Sequence, residues 1–373
     1  MEKCCQNAEA GKDEDMRNHS IMWDYIAEEP EALARLMKSE QISVLAREEL
    51  KDKEGLYFVA HGSSWNAALT AEWFLARAGG LRVRVDTPAG FLYQDGTWEN
   101  EKQENILVVF ISQTGTSRGV LEALEETKKR GYRTLGITAE KESPLAEKAD
   151  SLLLLECGKE ESNAKTKGYS ATLLALFLLG LETGKVKGKT EESYREKVKN
   201  ELTEQIRQIP EVSETVKTWC EENDFGRNMK EVFVLGYGMN FGTAAEGQLK
   251  LLETQCVPAM FTDAGEFSHG MHRAVTGDSS VLLLQSVLPL QSLAEVTLEY
   301  LKETAREVLM LDASGKETAR EHRIRIPEYP LTQSVLLLTA AVQTLAAAIP
   351  EINGKDPNRD SHDDFTRAAG TRV

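Results

Sequence analysis

Short apolar runs alternate with amphipathic stretches along most of this chain, and that alternation constrains its fold more than any other feature. Runs of strand length occupy residues 56–60, 106–111, 134–138, 151–156, 231–236, 281–285 and 307–311. Helical spacing of apolar residues lies between and beside them, near residues 22–47, 67–77, 117–130, 170–181, 243–254, 293–302 and 332–348. Strands that alternate with helices form parallel sheets covered on both faces, so we predict an α/β fold.

A weak internal repeat indicates that the alternating unit occurs twice. A shift of 174 residues, the separation of Gly62 from Gly236, also aligns Asn66 with Asn240, Ala71 with Ala245, Glu72 with Glu246 and Ser112 with Ser286. The stretch 183–200 is rich in Lys, Glu and Gly and is the expected boundary. We therefore predict a leader at 1–20, two similar domains at 21–190 and 191–350, and a tail at 351–373 that lies over the active site.

Charge and composition exclude several classes of partner. Sixty acidic and 44 basic residues give a net charge of −16, with no block rich in Lys and Arg, so no nucleic acid is expected. The five cysteines have neither C-x-x-C nor zinc-like spacing, and the N-terminus is polar where a signal peptide needs an apolar stretch. The longest apolar runs are expected to be too short to cross a bilayer. These features predict a cytoplasmic protein without a membrane partner.

Two loops of small polar residues follow predicted strands, where helix N-termini attract phosphate. The first is His61-Gly62-Ser63-Ser64, and the second spans 112–117 with the sequence Ser-Gln-Thr-Gly-Thr-Ser. Ser and Thr also cap helices without any ligand, and for residues 62–64 both interpretations stand. Capping accounts for one residue and not for six, so we interpret 112–117 as a phosphate loop. The second half continues from Ser286 into apolar residues and keeps no such loop, and neither loop matches an ATP or dinucleotide motif.

Three charged residues, Glu246, Lys250 and Glu253, share one face of a predicted helix. Their spacing alone favours a ladder of solvated salt bridges. Isomerisation of a sugar phosphate, however, needs a carboxylate that moves a proton between C1 and C2, and this helix can supply one. His269 lies in a loop of small residues. A histidine in such a loop is usually a surface residue without a function, but it can also assist opening of a sugar ring. No ligand set surrounds it, so neither a metal nor another cofactor is expected.

Several motifs resemble, in order, those of the double SIS-domain proteins, over about residues 22–350. They are M-W-D-Y-I-A-E-E-P at 22–30, G-S-S at 62–64, S-Q-T-G-T-S at 112–117, T-K-G-Y-S at 166–170, L-G-Y-G at 235–238, E-G-Q-L-K-L-L-E at 246–253 and G-E-F-S-H-G at 265–270. The best-known member of that family is the isomerase half of glutamine–fructose-6-phosphate aminotransferase. The resemblance implies two tandem flavodoxin-like SIS domains, each a three-layer α/β/α unit.

The resemblance also implies roles for individual residues. Glu253 is the proton-transferring base, and His269 assists ring opening in the neighbouring subunit of a homodimer. The substrate-binding residues, taken with the loop at 62–64, are Gly62, Ser63, Ser64, Ser112, Gln113, Thr114, Ser117 and, near the sugar chain, Asn163. The implied partner is a phosphorylated sugar or amino sugar.

Two departures from the family shift the expected chemistry. No glutamine-hydrolysing domain precedes the two halves, so the chain is not expected to take ammonia from glutamine. The family's isomerase ends in a segment whose lysine handles the sugar carbonyl, whereas Arg367 is the candidate here, and a guanidinium does not readily form a Schiff base. We therefore predict a deglycase or deaminating aldose–ketose isomerase, like the fructoselysine- and glucoselysine-6-phosphate deglycases. A plain isomerase and a non-catalytic sugar-phosphate sensor are the alternatives, although residues 1–55 contain no basic helix-turn-helix.

Overall fold

Two parallel five-stranded sheets, each flanked by helices, form the molecule, which confirms the predicted α/β class. The computed structural model describes residues 19–162, 164–287, 291–316, 321–356, 358 and 363–373. The first sheet has the order β2-β1-β3-β4-β5, and all its neighbouring strands run parallel. Its strands are β1 (Gly55–Ala60), β2 (Arg82–Asp86), β3 (Ile106–Ile111), β4 (Thr134–Thr138) and β5 (Ser151–Leu154).

Helices cover both faces of this first sheet. Apolar residues of β1 and β3 alternate along the strand between two separate clusters, one packed on each face. The helices are α1 (Met22–Leu36), α2 (Gln41–Leu45, continued by a π-helical turn at Ala46–Leu50), α3 (Gly62–Gly79), α4 (Pro88–Tyr93), α5 (Arg118–Lys129), α6 (Pro144–Lys148) and α7 (Lys167–Val186).

The second sheet repeats the topology of the first. Its order is β10-β9-β8-β6-β7, which is the same flavodoxin-like order when numbered within the second half and read from the other edge. Its strands are β6 (Glu231–Gly236), β7 (Ala259–Asp263), β8 (Ser279–Gln285), β9 (Glu307–Asp312) and β10 (Arg323–Arg325). Its helices are α8 (Glu192–Glu222), α9 (Asn240–Gln255), α10 (Gln291–Thr304), α11 (Val335–Ile352) and α12 (Asp363–Ala369).

The sequence repeat is out of register by two residues where the first strand of each half ends. Gly62 begins α3, whereas its partner Gly236 is the last residue of β6. Gly236 must be small for a separate reason, because a Cβ there would lie 2.3 Å from the carbonyl oxygen of Asn240. The two halves therefore share their topology but differ in how each strand turns into its helix.

Two buried helices form the centre of the molecule. Helices α7 and α11 are long and apolar enough to cross a membrane by composition, which makes the expectation about apolar run length wrong. Most of each helix, 89%, is instead buried inside the protein. Helix α3 packs on α7, α9 packs on α11, and α3 also packs directly on α9. This last contact joins the two halves and brings the helices that follow β1 and β6 together.

Candidate active site

A cavity of about 580 Å³ opens at the carboxyl ends of β1 and β3. These strands are neighbours, but α3 packs against one face of the sheet and α5 against the other. The loops diverge there and leave a crevice, which is the usual ligand site of an open α/β sheet. Eight of the residues expected at the site line this cavity: Gly62, Ser63, Ser64, Ser112, Gln113, Thr114, Ser117 and Glu253.

The loop at 112–117 leaves the hydroxyls of Ser112 and Ser117 available to a ligand, whereas those of Thr114 and Thr116 hydrogen-bond to each other at 2.8 Å. The N–H of Gly115 donates to the carbonyl of Ser112 at 2.9 Å, which closes a tight turn. Ser117 directly precedes α5, yet its side chain makes no capping hydrogen bond, and the same is true of His61 before α3. Capping therefore does not explain the polar residues of either loop. The N-terminus of α5 instead faces the cavity beside serine hydroxyls without a partner among the described residues, a suitable environment for phosphate.

Gly115 is the residue on which the shape of this loop depends. Its φ of +66° is in the left-handed region, and an added Cβ would lie 2.0 Å from Oγ of Ser143. We expect Gly115→Ala to weaken the binding of a sugar 6-phosphate at least about tenfold, because strain of about 1–3 kcal/mol and the clash both displace the loop. Isothermal calorimetry measures this effect.

Gly188→Ala is the matched control for Gly115→Ala. Gly188 has a similar φ of +63°, but nothing lies within 4 Å of the added Cβ. The control should lose some stability from backbone strain and keep its affinity. Wild-type affinity in Gly115→Ala would contradict a phosphate-binding role for this loop.

Gln113 is held in place by Glu160, a residue that the sequence interpretation missed. The Glu160 carboxylate accepts a hydrogen bond from the Gln113 side-chain amide at 2.5 Å. It also accepts from the backbone N–H groups of Thr166, Lys167 and Gly168 at 3.0, 2.9 and 2.8 Å, respectively. An acidic residue shortly before a helix start is a recognisable capping signal and could have indicated it. Glu160 thus fixes one wall of the cavity to the start of α7.

The three charged residues of α9 form a largely buried cluster, so the expected ladder of solvated salt bridges is wrong. The side chains of Glu246 and Lys250 are 0% exposed, and that of Glu253 is 28% exposed. The Lys250 ammonium lies 2.7 Å from the Glu253 carboxylate and 3.3 Å from that of Glu246. Only Glu253 among the three lines the cavity.

Residues of α3 complete this cluster from the other half of the molecule. The Glu246 carboxylate accepts hydrogen bonds from the Ser63 hydroxyl at 2.9 Å and from the Asn66 amide at 2.8 Å. The Lys250 ammonium donates to the same Ser63 hydroxyl at 3.1 Å. Burial raises the pKa of the Glu246 carboxyl. Burial opposes the charge on Lys250, but its two carboxylate neighbours outweigh burial and raise the pKa of the ammonium.

The C-terminal tail pairs with the phosphate loop. The N–H of Arg118 donates to the carbonyl of Thr371, and the N–H of Val373 donates to the carbonyl of Thr116, both at 3.0 Å. Arg372 therefore lines the cavity, whereas Arg367 lies in an adjoining groove. The other charged or titratable side chains along the cavity, which were not among the expected site residues, are His61, Arg118, Glu122 and Lys165. Burial lowers the pKa of His61.

Two of the expected site residues are not found at this cavity. His269 ends a 3₁₀ turn (Glu266–His269) after β7, where it is exposed and lies outside the cavity of its own chain. Asn163 lies outside the described residues. Within the described ranges, no group of three His, Cys, Asp or Glu side chains is arranged to hold a metal ion.

Comparison with known proteins gives consistent matches along the chain. The model of the SIS domain family matches residues 49–181 and 227–348. Glutamine–fructose-6-phosphate aminotransferase [isomerizing] of Clostridium acetobutylicum is 26% identical over 338 residues, which cover 87% of this chain and 54% of that protein. The chain spans about half the length of the curated relatives it matches.

Solved structures match almost the full chain. A protein described as a phosphosugar isomerase from Clostridium difficile 630 has a TM-score of 0.85 at 25% identity, covering 94% of this chain and 99% of its own. Glucosamine-6-phosphate deaminase of Thermotoga maritima has a TM-score of 0.72 at 23% identity, covering 92% and 98%, respectively. The second likeness concerns the fold alone.

Proposed function

Because this chain belongs to the SIS-domain family, we propose that it is a sugar-phosphate enzyme that releases an amine from an amine-bearing sugar 6-phosphate. It acts as a deglycase or a deaminating aldose–ketose isomerase. The observation that carries this proposal is the cavity in which the phosphate loop and the Glu253 carboxylate face the same space. A site that combines a phosphate-binding loop with a carboxylate base suits an open-chain sugar phosphate.

The phosphate is bound by the first half of the chain. Free hydroxyls of Ser64, Ser112 and Ser117 donate to its oxygens, and the N-terminus of α5 adds a favourable dipole. Arg118 and Arg372 add positive charge at the same cavity, in a chain whose net charge is −16. This local charge attracts a dianion that the rest of the protein repels.

Proton transfer is the task of the second half. Glu253 takes the proton from the carbon that bears the amine and returns it to the neighbouring carbonyl carbon. The amine-bearing carbon is then an imine, which water hydrolyses to a carbonyl and a free amine. Lys250 orients the Glu253 carboxylate through their 2.7 Å contact, and Glu246 holds Lys250 from behind. The buried pair thus presents a fixed base to the substrate.

Two considerations favour an amine-bearing sugar over a plain one. The name of the aminotransferase that this chain resembles refers to the transfer of nitrogen to a hexose phosphate. In addition, the tail brings an arginine to the cavity where the family's isomerase uses a lysine, and a guanidinium does not form an imine with the sugar carbonyl. The chemistry here therefore relies on an imine that forms from the substrate's own nitrogen after the proton transfer.

A homodimer in the cytoplasm belongs to the same proposal. His269 is exposed and remote from the cavity of its own chain, which suits a residue that assists ring opening in a neighbouring subunit. In that arrangement each active site takes its base from one subunit and its histidine from the other.

A panel of aminated sugar 6-phosphates tests the proposed function. We expect at least one member to release its amine, detected by mass spectrometry, and the same sugars without phosphate to react far more slowly. Interconversion of glucose and fructose 6-phosphate without any amine release would instead favour the plain isomerase. Binding without turnover of any sugar would favour the sensor.

A further inference from the structure

Lys165 is the one amine among the described residues that line the cavity. It precedes α7 and faces the space bordered by Gln113, Glu253 and Arg372. Lys250, the other lysine of the site, is fully buried behind Glu253 and does not line the cavity. The two lysines therefore have different access to a substrate.

The ammonium of Lys165 has donors left for a ligand. One of its N–H groups donates to the backbone carbonyl of Glu160 at 2.9 Å, which fixes the position of the nitrogen. No carboxylate of the described residues lies within ion-pair distance of it, and no second acceptor contacts it there. The side chain is half-buried, so its remaining N–H groups are in the cavity and not in bulk solvent.

The surroundings of Lys165 make its proton easier to give up. Burial lowers the pKa of the amine, and the positive charges of Arg372 and Lys250 lower it further, while the carboxylates of Glu160 and Glu253 act in the opposite direction. An acid is most effective when its pKa approaches the working pH. Lys165 and Glu253 both line this cavity, so a substrate bound there can contact both side chains.

We propose that Lys165 is the catalytic acid that protonates the carbonyl oxygen of the open-chain substrate while Glu253 removes the carbon-bound proton. This inference rests on the proposed function. It identifies the donor of the proton that the carbonyl oxygen receives, which Glu253 alone does not supply. As the C–H bond breaks, its electron pair forms the carbon–carbon double bond, and the carbonyl π pair moves onto oxygen. The oxygen takes a proton from Lys165, which later regains one from solvent.

The experiment compares the wild type with Lys165→Met and Lys165→Arg on a sugar phosphate from which the wild type releases amine. We expect kcat to fall at least about 100-fold in both variants, since a general acid typically contributes 10²–10⁴-fold. KM should change far less than kcat, and the thermal unfolding temperature should stay near that of the wild type. The wild-type rate should decline at alkaline pH as Lys165 loses its proton, and Lys165→Met should lack this decline.

Lys159→Met is the matched control, because Lys159 lies in the same segment, is exposed and does not line the cavity. It should keep the wild-type rate. A full wild-type rate in Lys165→Arg would overturn the inference, because a positive charge without an easily released proton would then suffice. A loss confined to KM would also overturn it. A borohydride-reducible adduct on Lys165 would also overturn it in favour of a covalent imine. A wild type that releases no amine overturns the proposed function itself.

Discussion

Glu253→Gln is expected to lower kcat for amine release by about 10²–10⁴-fold and to leave the affinity for the sugar phosphate within a few-fold of the wild type. Glutamine keeps the shape of the side chain and can still accept a hydrogen bond from Lys250, but it cannot take a proton from carbon. The phosphate loop lies in the other half of the molecule and is not altered. Steady-state kinetics measures the rate, and calorimetry with a sugar 6-phosphate measures the binding.

Glu122→Gln shows which of the two carboxylates in the cavity is the base. Glu122 lies on α5 and is exposed, and no lysine of the described part of the chain forms an ion pair with it, whereas Glu253 is held by Lys250. We expect its loss of rate to be far smaller than that of Glu253→Gln. A wild-type rate in Glu253→Gln, or a larger loss in Glu122→Gln, would refute the assignment of the base.

Lys250→Met is expected to lower the free energy of unfolding by about 3–5 kcal/mol, because it leaves the buried Glu246 carboxylate without its counter-ion. Denaturation by urea, followed by circular dichroism, measures the loss. The double variant Glu246→Gln with Lys250→Met removes both charges, so it should recover a large part of the stability that the single variant loses.

The control for Lys250→Met is Lys230→Met. Lys230 also lies 2.7 Å from a carboxylate, that of Asp278, but the two side chains are 61% and 58% exposed. Exposed ion pairs contribute only about 0–1 kcal/mol, so this substitution should have little effect on unfolding. Equal losses in the two single variants, or a double variant no more stable than Lys250→Met, would contradict this explanation. Either result would show that the contribution of Lys250 to the free energy of unfolding does not depend on burial of its charge.

The central strands of both sheets are predictable from sequence, because they are buried on two faces and need continuous apolar residues. Residues 106–111 and 231–236 are predicted with the bounds that β3 and β6 have in the structure. The three strands that the pattern misses, β2, β7 and β10, all lie at sheet edges. Strand β2 has the sequence Arg-Val-Arg-Val-Asp and is partly exposed, so it lacks the apolar run that reveals a central strand.

The site is predictable only in part, and the missing part depends on tertiary contacts. Spacing places Glu246, Lys250 and Glu253 on one helix face but does not reveal whether solvent or another helix covers that face. Packing of α3 against α9 decides it, through the hydrogen bond from Ser63 to Glu246. Arg372 escapes prediction for the same reason, since pairing of the tail with the phosphate loop joins residues far apart in sequence.

Because the site is divided between two sheets, its parts can fold at different times during synthesis. Domains generally fold as units, with the N-terminal one first during synthesis. A growing chain can therefore order the loop at 112–117 before the ribosome has made α9, and Glu253 reaches the cavity only when α9 docks on α3. If the proposed function holds, a nascent chain in this state would bind a sugar phosphate without consuming it, and turnover would report the docking of the two halves.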